Sequence, residues 1–265
     1  IGCSAIILVG LSYKIEKNYL NFGLNFLKKI LKHSIDNQGF SRSRNIRQQI
    51  FYLKYFILIR EWFKESLFEV PEHIDETIYY LGQAYSYFWQ NTQVNLLCNG
   101  NNNSNNQDFD NYLKRLGYKF KNENKAYCGY TILQNKKICL VMDTGSSPEF
   151  KYSKDYQSGA LSFEIVSNGK KLISNCGYYK KGNQKLNQLS KSSATHSTLV
   201  IDDNSSCKFL QKKDMWILKT GLKITEKKSI YEKNYWKITA AHDGYLKKYN
   251  SIHKRNIEFY PEQMT

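Results

Sequence analysis

With 265 residues, 41% of them hydrophobic and 15% aromatic, the chain can bury one large core or two modest ones and reads as a globular protein. Its longest uninterrupted apolar run, Ala5–Leu11, falls far short of the roughly 20 residues that span a bilayer, so no membrane span is expected. The charge of +16 would suit nucleic acid, but only six of the 39 basic residues are arginine and the lysines are spread over the whole length. Nucleic acid is therefore set aside, and an acidic polysaccharide is the partner that such a dispersed surface would attract.

The chain starts at Ile1 and stops shortly after an apparent strand, so it reads as a piece of a longer protein whose targeting signals lie elsewhere. Cys3 is expected in a buried helix rather than at a lipid-attachment site, because the apolar run follows it instead of preceding it. The six cysteines have no C-x-x-C spacing and read as scattered core residues.

Residues 1–90 read as helices. The segment Ile46–Leu67 is apolar nearly all round, which suits a helix packed between neighbours. In VPEHIDETIYYLGQAYSYFWQ, Pro71 suits a helix start and Glu72, Asp75 and Glu76 its positive end. Ile74, Ile78, Leu81, Tyr85 and Phe88 recur at helical spacing. The Asn-rich run CNGNNNSNNQDFD is too polar to bury and marks a boundary. The expected division is a helical portion over 1–98, a linker and connecting segment over 99–124, and a β domain over 125–265.

Beyond the boundary the period falls to two. Strands are expected at Tyr130–Gln134, Ile138–Met142, Leu161–Val166, Leu172–Asn175, Ser197–Ile201, Trp216–Lys219 and Trp236–Ala240, forming an antiparallel β domain. Asn168-Gly169 predicts a two-residue hairpin that pairs Glu164 with Ile173 and Ser162 with Asn175. One face then carries Leu161, Phe163, Ile165, Leu172 and Cys176 and should be buried. The other presents Ser162, Glu164 and Asn175, either solvated or part of a site. Asp143-Thr144-Gly145 has the form of an aspartic-protease triplet, but there is no second copy and the surroundings do not match.

QGFSRSRN (38–45), VPEHIDETI, LCNGNN, VMDTGSSP (141–148), GALSFEI with NCG, ATHSTLVIDD (194–203) and HDGYLKKYNSIHKR (242–255) occur in one ordered series. In that series the chain resembles the heparinase II/III-like family, polysaccharide lyases built from an α/α-toroid followed by an antiparallel β-sandwich. The resemblance implies that this chain covers the end of the toroid and the first part of the sandwich. It also implies β-elimination on a uronic-acid polymer, and a periplasmic or cell-envelope location. That chemistry needs a base for the proton next to the uronate carboxylate, an acid for the leaving oxygen, and groups that offset carboxylate charge.

The family pattern also carries a structural metal, held by H-x-H-x-D-A-L-S-F-E, a later Asp, and a His in H-N-T. Those positions fall here on Asp155, Gln157, Gly159, Asn175 and His196, of which only His196 keeps a family ligand. No metal and no cofactor are expected, since amides replace imidazole and carboxylate poorly around zinc.

Where the family places a toroid Tyr, this chain has Ser43–Ile46. Arg42, Arg44 and Asn45 at a helix start could hold a uronate carboxylate, or Asn45 could cap the helix while the arginines face solvent. His196, on one strand face with Thr198 and Val200, is the candidate base; a histidine bonded into the sheet is the alternative. His242, Asp243 and Tyr245 form a second polar group in which the phenol could act as acid. Gln157, Asn175 and Glu164 are candidate substrate-binding residues. The expected function is a lyase with an altered, metal-free site, and the alternative is a non-catalytic glycan-binding or envelope-assembly protein.

Overall fold

The protein's structure, a computed structural model, describes residues 1–13, 17–102, 106–179, 184–213, 215–260 and 262. The chain divides into two compact units. The first takes residues 1–42, 46–91 and 105–122, and the second takes 43–45, 92–104 and 123–265.

The first unit contains α1 (Gly2–Ser12), α2 (Lys17–Ser34), α3 (Ile46–Glu65), α4 (Glu72–Tyr85) and α5 (Gln107–Arg115), with a π-turn over Ser86–Gln90 extending α4. α4 begins after Pro71, carries Glu72 and Asp75 in its first turn, and buries Ile74, Ile78, Leu81 and Tyr85, as its spacing predicts. α3 buries Ile46, Ile50, Leu53, Phe56, Ile57, Ile59 and Phe63, residues too far round the helix for a single stripe, because both α1 and α4 pack on it. Cys3 is a buried residue of α1. Among the described residues no helix is long and apolar enough to cross a membrane.

The Asn-rich run behaves differently from its composition. Asn99, Asn101 and Asn106 are all buried, and α5 begins within the run, with Asp108 and Asp110 in its first turn and Lys114 and Arg115 in its last. Charges placed to suit both helix ends are a signal that the Asn-rich reading obscured. Residues 103–105 of the run lie outside the described residues.

The second unit is antiparallel throughout. β1 (Ala126–Tyr127), β2 (Tyr130–Gln134), β3 (Ile138–Asp143), β4 (Phe163–Ser167) and β5 (Lys170–Ile173) form one sheet in sequence order. After α6 (Gln184–Ser190) come the hairpin of β6 (Lys208–Lys212) and β7 (Met215–Thr220), and then β8 (Ile224–Tyr231) and β9 (Trp236–His242). The short helix α7 (Leu246–Tyr249) precedes β10 (His253–Phe259), which joins β9 and β8 in the order β10-β9-β8. Leu133, Leu140, Met142 and Leu161 share one core with Trp236, Ile238 and Ala240, so the five-stranded and three-stranded sheets face each other as a sandwich.

Two expectations fail here. Ser197–Ile201 is not a strand, because its polar groups find other partners: Ser197 N–H donates to Asn175 Oδ1 and the Thr198 hydroxyl to the Ala160 carbonyl. The Asn168-Gly169 turn forms with Ser167 opposite Lys170, but a bulge between Ile165 and Val166 slips the register by one, so that Ile165, not Glu164, faces Ile173. The slip turns Leu172 outward, to 60% exposure.

Candidate functional site

The register of β2, β3 and β4 aligns Tyr130 with Asp143 and Val141 with Glu164, which puts Tyr130, Asp143 and Glu164 on one face of the sheet, opposite the face that carries Leu140 and Met142. That face is polar and buried. Ser162, Glu164 and Asn175, for which a solvated face was one reading, are 1%, 0% and 4% exposed. A buried polar group must be hydrogen-bonded to be tolerated, and here the partners are the side chains of neighbouring segments.

Asp143 is the centre. Arg44 Nη2 lies 2.7 Å from Asp143 Oδ1, while Asn99 Nδ2 donates to Asp143 Oδ2 at 2.8 Å and to the Tyr130 hydroxyl at 2.8 Å. Arg44 also donates to the carbonyls of Gly129, Gly145 and Ser146, and its guanidinium stacks on the Tyr130 ring at 4.9 Å. Gly145 has no side chain where the guanidinium passes; a Cβ there would collide with Arg44 Nη2 and Cζ. Burial works against the guanidinium charge, yet the Asp143 carboxylate outweighs it and holds the Arg44 pKa above the ordinary arginine value. Arg44 keeps a left-handed backbone (φ 58°), a conformation a non-glycine residue holds only when its surroundings fix it.

Arg44 therefore neither faces solvent nor offers a free clamp for a uronate carboxylate, because Asp143 already fills that place. Asn45 donates its amide to Asp155 at 3.0 Å. Arg42 belongs to the helical unit, where its Nε donates to the Ile35 carbonyl, whereas Arg44 belongs to the other unit.

Glu164 is equally occupied. Its Oε1 accepts from Leu97 N–H (2.7 Å) and Asn175 Nδ2 (3.2 Å), and its Oε2 from Lys171 (2.9 Å). Gln157 donates to the carbonyls of Gly177 and Ser190 and accepts from Gly100 N–H. Neither residue presents a free polar atom to a ligand in this arrangement.

His196 meets Gln157 at the Ser190 carbonyl, 3.2 Å from Nε2. A carbonyl only accepts, so Nε2 carries the hydrogen and Nδ1 holds a lone pair. Nδ1 is buried and has no hydrogen-bond partner, and a Cβ added to Gly159 would stand 3.5 Å from it. Burial lowers the pKa of His196 to about 4.

The second candidate group comes together but is internally satisfied. The Tyr245 hydroxyl donates to the Leu199 carbonyl at 2.6 Å, with the Asn204 carbonyl also near, and burial raises its pKa. His242 Nδ1 accepts from Gly244 N–H, so its Nε2 carries the hydrogen and donates to His253 Nδ1 at 3.1 Å. Burial lowers both histidines to about 4. Tyr245 and His242 are thus placed as structural groups, with a phenol and a ring already bonded, rather than as an acid and a base open to a substrate.

The sequence matches the heparinase II/III-like C-terminal family over residues 123–264, more than half of the chain. The chain belongs to the heparinase II/III-like family. Solved structures with the same fold include a heparinase III gene product (TM-score 0.75, 16% identity, covering 97% of this chain and 43% of that one). A heparan sulfate lyase from Pedobacter heparinus gives 0.71, 16%, 97% and 43%, and a second heparinase III gives 0.71, 15%, 98% and 44%. The chain thus spans less than half the length of these neighbours. No protein of curated function matches the sequence.

The family metal implied by the sequence resemblance does not fit the side chains present in this heparinase II/III-like chain. Of Gln157, Asn175 and His196, only His196 has a ligand atom without a hydrogen-bond partner, its Nδ1. The Gln157 oxygen is bonded to Gly100 N–H, the Asn175 oxygen to Ser197 N–H, and Gly159 contributes no side chain. A single imidazole with two satisfied amides is not a zinc donor set. Among the described residues no group of three or more His, Cys, Asp or Glu is placed to hold a metal ion.

Several residues that shape the site escaped the sequence reading: Asn99, Tyr130, Lys171, His253 and Asp143 in its actual role. Asp143 left a signal, since it ends a strand whose other residues are all apolar and all buried, where a lone carboxylate requires a counter-ion.

Proposed function

We propose that the protein acts on an acidic, uronate-containing polysaccharide as a heparinase II/III-like lyase, by β-elimination, with His196 as the proton acceptor supplied by the sandwich unit. The observation that carries this reading is the lone pair of His196 Nδ1, which alone among the candidate catalytic groups has no protein partner. Burial keeps the ring neutral above pH of about 4, which leaves this lone pair unprotonated while weakening it as a base. In the reaction, the proton on the carbon beside the uronate carboxylate passes to the base and the electron pair forms the new carbon–carbon double bond. The glycosidic oxygen leaves with a proton from an acid. Tyr245 is not assigned that second role, because its hydroxyl is held by main-chain carbonyls.

A second reading, glycan binding without catalysis, is favoured by the internal engagement of Arg44, Tyr245 and His242. The two separate in one experiment on the full-length protein with a panel of uronate polymers. A lyase generates unsaturated uronate ends, seen as new ultraviolet absorbance, and His196→Ala lowers the rate on the order of 10²–10⁴, the usual contribution of one proton-transfer group. Binding without any product on the panel favours the second reading. Full activity of His196→Ala makes His196 structural.

A further inference from the structure

Two adjoining cavities open on the β6–β7 hairpin, about 390 Å³ and 460 Å³ in volume, each within the roughly 300–1,000 Å³ of ordinary ligand pockets. They share Asn204, Ser205, Lys208 and Lys219 as lining, so they form one groove. Neither His196, Gln157 nor Asn175 lines it.

The hairpin geometry explains the paired lysines. Lys208 faces Thr220, and Phe209 faces Leu218, so a bulge leaves Lys219 as the extra residue beside Lys208. α7 adds Lys247 and Lys248 to the same groove. All four lysines are exposed, and none makes an ion pair among the described residues. One carboxylate, Asp203, lies in the lining against them. Half-buried Trp216 and Tyr249 give the groove two aromatic surfaces, and Lys248 already lies 5.1 Å from the Tyr249 ring.

Unpaired ammonium groups, aromatic faces and hydroxyl or amide edges in one groove match a ligand that is anionic, ring-shaped and rich in hydroxyls. We infer that this groove binds an acidic oligosaccharide, the Lys208, Lys219, Lys247 and Lys248 ammoniums taking its carboxylate or sulfate groups and Trp216 and Tyr249 packing on its sugar rings. The choice of a saccharide over a nucleic acid rests on the function proposed above; the charge pattern is independent of it.

Calorimetric titration of the full-length protein tests the groove with three probes: a heparan sulfate octasaccharide, an unsulfated oligogalacturonate, and a neutral glucose octasaccharide. At least one acidic probe binds and the neutral one does not. Lys208→Glu with Lys219→Glu weakens binding about tenfold, as expected when two surface charge contacts are lost and reversed in sign. Lys208→Arg with Lys219→Arg keeps the affinity. The same charge change at exposed Lys136 and Lys137, in the β2–β3 turn, costs less than about twofold, because those residues lie outside the groove.

Three results overturn the groove: no binding of either acidic probe, equal losses in the two charge-reversed pairs, or tighter binding of a single-stranded DNA oligonucleotide than of either saccharide. Loss of binding in the Lys208/Lys219 pair without any lyase product keeps the groove and removes the lyase reading. Lyase product with binding unchanged in that pair does the reverse.

Discussion

The two faces of the five-stranded sheet are built from the same strands and are equally buried, yet they are held in opposite ways. On one face Leu133, Leu140 and Met142 meet Trp236 and Ile238 in a dry core, whose stability comes from area removed from water at roughly 25 cal/mol per Å². On the other face, Tyr130, Asp143 and Glu164 are buried just as fully, but every polar atom needs a partner, and Arg44, Asn99, Asn175 and Lys171 supply them. The apolar face tolerates imprecision; the polar face does not. A buried polar network of this kind costs desolvation, so its presence in a sheet points to a site or to the remains of one.

The largest expected effect breaks the polar face. Asp143→Ala leaves the Arg44 charge buried without its counter-ion and should cost about 3–5 kcal/mol in chemical denaturation. Replacing both partners, Arg44→Met with Asp143→Leu, should recover most of that loss, because no uncompensated charge remains. A double variant as unstable as Asp143→Ala would mean that the network contributes more than charge compensation.

On the apolar face, Leu140→Ala removes a side chain that is 2% exposed and should cost about 2–5 kcal/mol, with the spread set by how far the cavity collapses. Its loss should be independent of pH, since no ionisable group is removed. Glu164→Gln is milder, at about 1–3 kcal/mol. It keeps an acceptor for Leu97 N–H but turns an amide donor or an uncharged oxygen toward Lys171.

A slope rather than a single loss is expected from the histidines. His196, His242 and His253 each have a folded pKa of about 4, below the 6.5 of an unperturbed imidazole. The unfolded chain therefore binds more protons between those values, so stability is full above pH of about 6.5 and falls as pH drops toward 4. Burial is the main cause, and in the His242–His253 pair the hydrogen bonding adds to it. Each acceptor nitrogen already receives an N–H, from Gly244 and from His242, and a new proton has no site without breaking one of them. His242→Asn with His253→Asn should flatten this part of the profile, and an unchanged profile would place the titration elsewhere.

The same contrast explains how much was legible in the sequence. The apolar periodicity of α4 was plain, because burial against one neighbour leaves a period of 3.6, and β3 was plain as an unbroken apolar run, because it is buried on both faces. β8 was not, since ITEKKSIY is almost wholly exposed and carries no such alternation of burial. The Asn-rich run misled because asparagine is read as solvent-seeking, while Asn99 is buried to bridge Tyr130 and Asp143. The hairpin turn was legible in Asn168-Gly169, but the bulge between Ile165 and Val166 was not, and it changed which side chains face inward. Which polar groups pair across distant segments, Arg44 with Asp143 or Leu97 with Glu164, is information that no local pattern carries.

The central claim is that hydrogen-bonded amides stand where the family pattern has metal ligands, and zinc titration tests it most directly. The wild-type protein should bind no stoichiometric zinc by elemental analysis after dialysis, and its thermal midpoint should not move with added zinc. Gln157→His with Asn175→Asp should restore a His, Asp, His set with His196, take up zinc, and rise in thermal midpoint as zinc is added, since a ligand of the folded state stabilises it. One equivalent of zinc in the wild-type protein would contradict the account outright.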